Sequence, residues 1–218
     1  MAALHIFYGG TFDPVHEGHL AIARAARDAL ATPVHVMPAA DPPHRPPPGA
    51  GAQDRVGMLE LAITGEEGLH LDLRELARPG PSYSVDTLRG IRAELGDAAP
   101  VALLVGADSF LGLPGWHRWR ELFDLAHFVV AGRPGSLLAS AAPELAETTA
   151  GRWADDADAL RQAPAGRLFA LQQPLHVHSA TAVRRLIAEG RPWRHLLPPA
   201  VADYIQAHGL YGAAVIGP

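Results

Sequence analysis

The sequence predicts an α/β protein, a doubly wound parallel sheet forming a single domain over residues 1–218. Two patterns predict it. Short apolar runs rich in β-branched residues alternate with segments of helical spacing, and the first run passes directly into the first helical segment through a glycine-rich turn. Strand–helix–strand units of this length cross over right-handedly, and sheets built from them hold ligands at the carboxyl ends of their strands. A chain of 218 residues that is 48% hydrophobic buries one full core and is short for two domains.

The elements follow in order. Residues 4–8 form the first strand, residues 19–30 the first helix and residues 34–37 the second strand. Residues 39–51 are proline-rich around His44 and Arg45, which excludes regular helix or central strand and predicts an ordered loop or lid. A helix over 52–63, a strand over 69–73, a helix over 83–95 and strands over 101–105 and 128–131 continue the alternation. Between 132 and 166 the chain is rich in Ala, Gly and Pro, with weak helical pieces at 141–147 and 154–162. A last strand over 168–172 precedes helices at 182–189 and 200–208.

Composition removes several chemistries. The net charge of −5 argues against a nucleic-acid coat, which needs a basic face. No cysteine is present, so disulfides, thiolate nucleophiles and cysteine-held metals are excluded. All 18 basic residues are Arg, which removes a P-loop lysine and any Schiff base; phosphate must be met by Arg, His or backbone amides. No apolar run approaches the roughly 20 residues of a membrane span, and the first residues lack a signal-peptide pattern. A soluble, unexported, cytoplasmic protein is expected, with no membrane partner.

The most informative string is Gly9-Gly10-Thr11-Phe12-Asp13-Pro14-Val15-His16-Glu17-Gly18-His19. Paired glycines let backbone approach a phosphate, and a helix N-terminus beside them offers unpaired N–H groups and a positive dipole end. His16 and His19, three apart at the helix mouth, can both donate to phosphate oxygens, and Gly18 keeps the approach open. The string is neither G-x-G-x-x-G nor H-E-x-x-H. A two-histidine metal site lacks an obvious third ligand, and a plain glycine turn would not require both histidines.

A second string, Ser179-Ala180-Thr181-Ala182-Val183-Arg184, places two hydroxyls before a short helical run and an Arg in its first turn. Read alone it is an ordinary N-cap with a surface Arg. Beside the first string it becomes a second helix N-terminus facing phosphate, with Arg184 as a permanently charged fork.

Together these strings resemble the nucleotidyltransferases that share the T/H-x-G-H motif, and among them the bacterial nicotinate mononucleotide adenylyltransferases. The resemblance extends through Pro-Pro-His-Arg at 42–45, Pro-Ser-Tyr-Ser at 81–84, Gly-Ala-Asp at 106–108, Trp116 and Arg-Pro-Gly at 133–135. It implies a Rossmann-like fold and transfer of AMP from ATP to nicotinate mononucleotide, with Mg²⁺ carried on ATP and no covalent intermediate. His16, His19 and Arg184 are then the catalytic candidates, and Gly9, Gly10, Thr11, Phe12, Gly18, Asp108, Arg133, Ser179 and Thr181 the ATP-binding ones. Two departures stand out: His178 where the family usually has Ile, and Ala39-Ala40-Asp41 where many relatives carry Asn.

On the acceptor side the resemblance points to His44, Arg45, Tyr83, Ser84 and Trp116. Trp116 would stack on a pyridine ring, the alternative being a half-buried core aromatic, which is the preferred reading of Trp119. Tyr83 and Ser84 would offer donors to a ring carboxylate, although Ser84 is equally a helix cap. Arg45 would clamp the mononucleotide phosphate or stand as an exposed cation. Three other readings stay open: a different phosphate-ester acceptor, an amino-acid-activating module, and a nucleotide sensor without catalysis. The length and the missing lysine oppose the second.

Overall fold

The computed structural model describes residues 2–40, 47–132, 140–172 and 179–214. Six strands, all parallel, form one sheet: β1 (His5–Gly10), β2 (Val34–Pro38), β3 (Leu69–Leu71), β4 (Val101–Gly106), β5 (His127–Ala131) and β6 (Leu168–Leu171). Their spatial order is β3-β2-β1-β4-β5-β6. The chain moves outward from β1 in one direction, then returns to β4 and moves outward in the other. The carboxyl ends of β1 and β4 therefore border the crevice where a doubly wound sheet takes its ligand.

Nine α-helical segments stand among the described residues: α1 (Glu17–Leu30), α2 (Ala52–Ile63), α3 (Arg74–Ala77), α4 (Ser84–Leu95), α5 (Ala107–Leu111), α6 (Leu122–Leu125), α7 (Pro143–Thr149), α8 (Ala180–Ala188) and α9 (Pro199–Ala207). Strands buried on both faces read as continuous apolar runs, and period-two geometry sorts them. Ile6, Tyr8, Ala102, Leu104 and Val129 join the core with α1, α2, α8 and α9. Phe7, Leu103, Val105, Phe128 and Val130 join the one with α4 and α6.

The expected strands and long helices are present, with shifts that have local causes. Helix α1 begins at Glu17 rather than 19, because His16 is an extended N-cap at φ −143° and Gly18 masks the first turn in a propensity reading. Strand β3 stops at Leu71, since the Asp72 carboxylate accepts from the Arg74 backbone N–H at 3.0 Å and turns the chain into α3. The helix expected over 154–162 is only a 3₁₀ turn, Asp158–Arg161. There the Asp156 carboxylate takes the Ala159 N–H, while Ala154 donates to Leu168 beside a Trp153–Leu168 bridge, so the segment's start is spent extending the sheet edge.

Candidate active site

A cavity of about 620 Å³ opens over the carboxyl ends of β1 and β4. Four helix entrances border it, those of α1, α8, α4 and α5. At the first, β1 ends in Gly9 and Gly10 and turns into α1. Gly10 is required by what lies under it: a Cβ there would stand 2.9 Å from the Phe12 ring. Phe12 itself sits at φ 49° and is buried, its ring edge-on to Tyr8 and His19, so it supports the turn from below.

His16 and His19 stack at the mouth of α1 with ring centroids 3.7 Å apart. The His16 carbonyl accepts from the His19 N–H at 2.9 Å, and the His16 N–H donates to Nδ1 of His19 at 3.2 Å. With Nδ1 engaged as acceptor, the neutral His19 ring carries its proton on Nε2, a donor on a residue that lines the cavity.

The second entrance is α8. Ser179 is its N-cap, with Oγ accepting from the Ala182 N–H at 3.2 Å, so the ordinary capping reading holds while Ser179 also lines the cavity. Thr181 accepts from Arg184 at 3.3 Å. Arg184 reaches across to the first loop, donating to the Asp13 carbonyl at 2.5 Å and pairing with its carboxylate at 3.3 Å.

Asp13 is the junction the sequence did not reveal. Its buried carboxylate accepts from the Gly49 N–H at 2.7 Å, the Ala50 N–H at 3.0 Å and the Tyr211 hydroxyl at 2.8 Å, besides pairing with Arg184. Burial, followed by the Asp13 charge and hydrogen bond, pushes the Tyr211 phenol far above its ordinary value, so it remains a donor. Arg55, 1% exposed, is a second such residue. It donates to the carbonyls of Thr11 (2.8 Å), Ala39 (2.7 Å) and Ala40 (3.2 Å), tying α2 to the phosphate loop and the end of β2. Burial works against its charge, and Asp13 supports it.

The third entrance is α4. Ser84 and Trp116 line the cavity there, whereas Tyr83 is not among the lining residues and places its ring 4.5 Å from that of His117. Trp119 is buried and edge-on to Phe123, as expected for a core aromatic. Glu75 on α3 also lines the cavity while buried, and burial raises its carboxyl above the usual value against the hydroxyls of Thr87 and Ser82. Asp108 opens α5 and faces the cavity from the end of β4.

Of the residues singled out from sequence, Gly9, Gly10, Thr11, Phe12, His16, Gly18, His19, Ser84, Asp108, Trp116, Ser179, Thr181 and Arg184 meet at this one cavity. His44, Arg45, Arg133 and His178 lie outside the described residues. Arg55, Glu75 and Tyr211 were missed because a lone Arg, Glu or Tyr carries no string around it that marks it as buried; Asp13 lay inside the first string, but its partners at residues 49, 50, 184 and 211 are distant in sequence.

Comparison with known proteins agrees with this arrangement. Residues 7–186 match the model of the cytidylyltransferase-like family. A protein of Stenotrophomonas maltophilia named probable nicotinate-nucleotide adenylyltransferase is 63% identical over 97% of this chain and 98% of its own length. One of the same name from Xylella fastidiosa strain M12 is 50% identical over the same shares. The solved nicotinic acid mononucleotide adenylyltransferase of Plasmodium falciparum, complexed with NaAD, superposes with a TM-score of 0.71 over 98% of this chain and 99% of its own, at 15% identity, which speaks for the fold alone. With the matched segment running from β1 through α8 and near-full-length relatives at half identity or better, the chain belongs to the nicotinate-nucleotide adenylyltransferases of the cytidylyltransferase-like family.

Proposed function

We propose that the chain transfers the adenylyl group of ATP to nicotinate mononucleotide, releasing pyrophosphate and forming nicotinate adenine dinucleotide, a step of NAD biosynthesis. One observation carries the reading: the entrances of α1 and α8 converge on a single cavity at the sheet's reversal point, bringing His16 and His19 opposite Thr181 and Arg184. Helix entrances with imidazole and guanidinium donors suit a triphosphate.

In this reading an oxygen of the acceptor's 5′-phosphate attacks the α-phosphorus in line. A new P–O bond forms as the bond to the β-phosphate bridging oxygen breaks, and the electron pair leaves with pyrophosphate. No protein nucleophile takes part. His19 donates through Nε2 to the charge that develops on the phosphates, His16 lies stacked beside it, and Arg184, held in place by Asp13, meets the leaving group. The backbone of Gly9, Gly10, Thr11 and Gly18 keeps the floor low for close approach, and Asp108 accepts from ribose hydroxyls. Ser84 and the α4 entrance receive the ring carboxylate, with Trp116 against the pyridine.

Among the described residues no group of three or more His, Cys, Asp or Glu is placed to hold a metal, and the Asp13 carboxylate is committed to four partners. This donor set fits an ion that arrives on the triphosphate. Mg²⁺ bound there would neutralise charge on the triphosphate, while His19 and Arg184 supply the protein's own donors. The setting we propose is the cytoplasm, without nucleic-acid or membrane partners: the net charge is −5, and no helix among the described residues is long and apolar enough to cross a membrane.

Chromatographic product analysis with ATP, Mg²⁺ and one acceptor at a time tests the reading. The dinucleotide should form fastest from nicotinate mononucleotide. Product from nicotinamide mononucleotide or phosphopantetheine alone would replace the acceptor, and no product from any of the three would leave a nucleotide sensor.

A further inference from the structure

Glu75 is the one buried carboxyl on the acceptor side of the cavity among the described residues, and the mechanism gives it no task. It stands on the single turn of α3, directly after β3, and its carboxyl gathers hydroxyls from the segment that opens α4. Thr87 Oγ1 donates to Glu75 Oε1 at 2.8 Å, and the Ser82 hydroxyl donates to the same carboxyl. Ser82 Oγ in turn accepts from the Ala40 N–H at 3.0 Å, where the chain leaves β2. Arg78, which closes α3, donates to Thr87 Oγ1 at 3.2 Å. One carboxyl thus fastens residues 82–87, the entrance whose residues Ser82, Ser84 and Thr87 line the cavity together with Trp116.

We propose that Glu75 is a positioning residue for the acceptor: by holding the Ser82 and Thr87 hydroxyls it fixes the α4 entrance in the attitude that receives the acceptor's ring carboxylate. The inference rests on the acceptor assignment above and adds a residue to it. Three features support it. The hydroxyl protons of Ser82 and Thr87 are spent on Glu75, so what the entrance presents to the ring is the Ser84 hydroxyl, backbone N–H and the positive end of α4. The carboxyl is buried, so its bonds to the two hydroxyls form away from competing water and hold the entrance firmly. The hydrogen bonds of Glu75 run to Ser82 and Thr87 at the α4 entrance, so its effect should fall on the acceptor.

The test is steady-state kinetics on the full chain, varying nicotinate mononucleotide and ATP in turn, with thermal melts alongside. Glu75→Ala should raise KM for nicotinate mononucleotide about tenfold or more, with kcat and KM for ATP within about twofold of the parent, the signature of lost ground-state placement of one substrate. Glu75→Gln, uncharged and of the same shape, should restore KM to within about threefold. Thr87→Val removes one hydroxyl while keeping side-chain shape, and should raise the same KM by about fivefold; it keeps the idea testable if Glu75→Ala fails to fold. An unchanged acceptor KM in Glu75→Ala, or in Thr87→Val should the former not fold, overturns the proposal. So does an equal rise in both KM values, or a Glu75→Gln variant as impaired as Glu75→Ala. Parent enzyme that forms no nicotinate dinucleotide defeats the acceptor assignment itself, whereas an active parent with indifferent variants defeats only the role of Glu75.

Discussion

His19 uses its two ring nitrogens for different ends. Nδ1 closes the first turn of α1 by accepting from His16, and Nε2 is left as the donor. Asparagine places an acceptor oxygen close to where Nδ1 sits and nothing where Nε2 sits, so it separates the two. His19→Asn should lower kcat by about two orders of magnitude, the usual cost of one transition-state donor, and shift the melting temperature by less than about 2 °C. His19→Ala should show the same kinetic loss plus about 1 kcal/mol of stability, measured by urea denaturation. Wild-type turnover in His19→Asn would remove His19 from the chemistry. Both histidines, Ser179, Thr181 and Arg184 were legible from sequence because each belongs to a short contiguous string whose spacing declares a helix entrance. Arg55 was not: its hydrogen bond to Thr11 spans 44 residues, and on α2 it reads as a solvated charge.

Between elements, His127 in β5 sets a pH limit. Its ring is fully buried, with Nε2 2.9 Å from the Ala163 carbonyl and Nδ1 accepting from the Arg167 N–H at 3.0 Å, which pins the loop before β6 against the sheet. A neutral ring satisfies both contacts, and a second proton on Nδ1 would face a donor. Burial holds the ring below its ordinary value of 6.5, and His35, half-buried on β2, is shifted the same way for the same first reason. The unfolded chain then binds more protons than the folded one below that value, so the contribution is complete above about pH 6.5 and is lost as pH falls through the depressed values. Urea midpoints should drop between pH 7.5 and 5.5, and the His127 ring resonances should keep their neutral form after those of exposed histidines have moved. A His127 that titrates with the exposed set would contradict this. Strands and long helices were legible because period and β-branching are local signals. The 154–162 segment misled because its Ala-rich composition favours helix, while the edge of β6 offered its backbone better partners.

Across the whole molecule, the cavity is closed by contacts between distant parts of the chain. Asp13 and Tyr211 are 198 residues apart, and the same carboxylate holds residues 49, 50 and 184. Removing the carboxylate strands a phenol, two amides and a guanidinium, so Asp13→Ala should cost about 3 kcal/mol or more. Tyr211→Phe takes away a single hydrogen bond and should cost only about 1 kcal/mol. Arg184 loses its ion pair in the first variant, keeping only its bond to the residue 13 carbonyl, and keeps both in the second, so turnover should fall in Asp13→Ala and stay near wild type in Tyr211→Phe. Equal losses from both would mean that Asp13 does not organise Arg184. The fold class was readable because it needs only the alternation of elements. The junction at Asp13 was not, because long-range partners leave no periodic trace.

The sheet order has a consequence for how the chain comes into being. β1 is made first, yet its neighbour across the crevice, β4, begins only at Val101, Arg184 follows later, and Tyr211 later still. A nascent or clipped chain holding the glycine turn and both histidines still lacks the opposite wall. A site that needs both walls is therefore complete only once Arg184 has been made, and a ligand that fills it stabilises the finished fold by mass action.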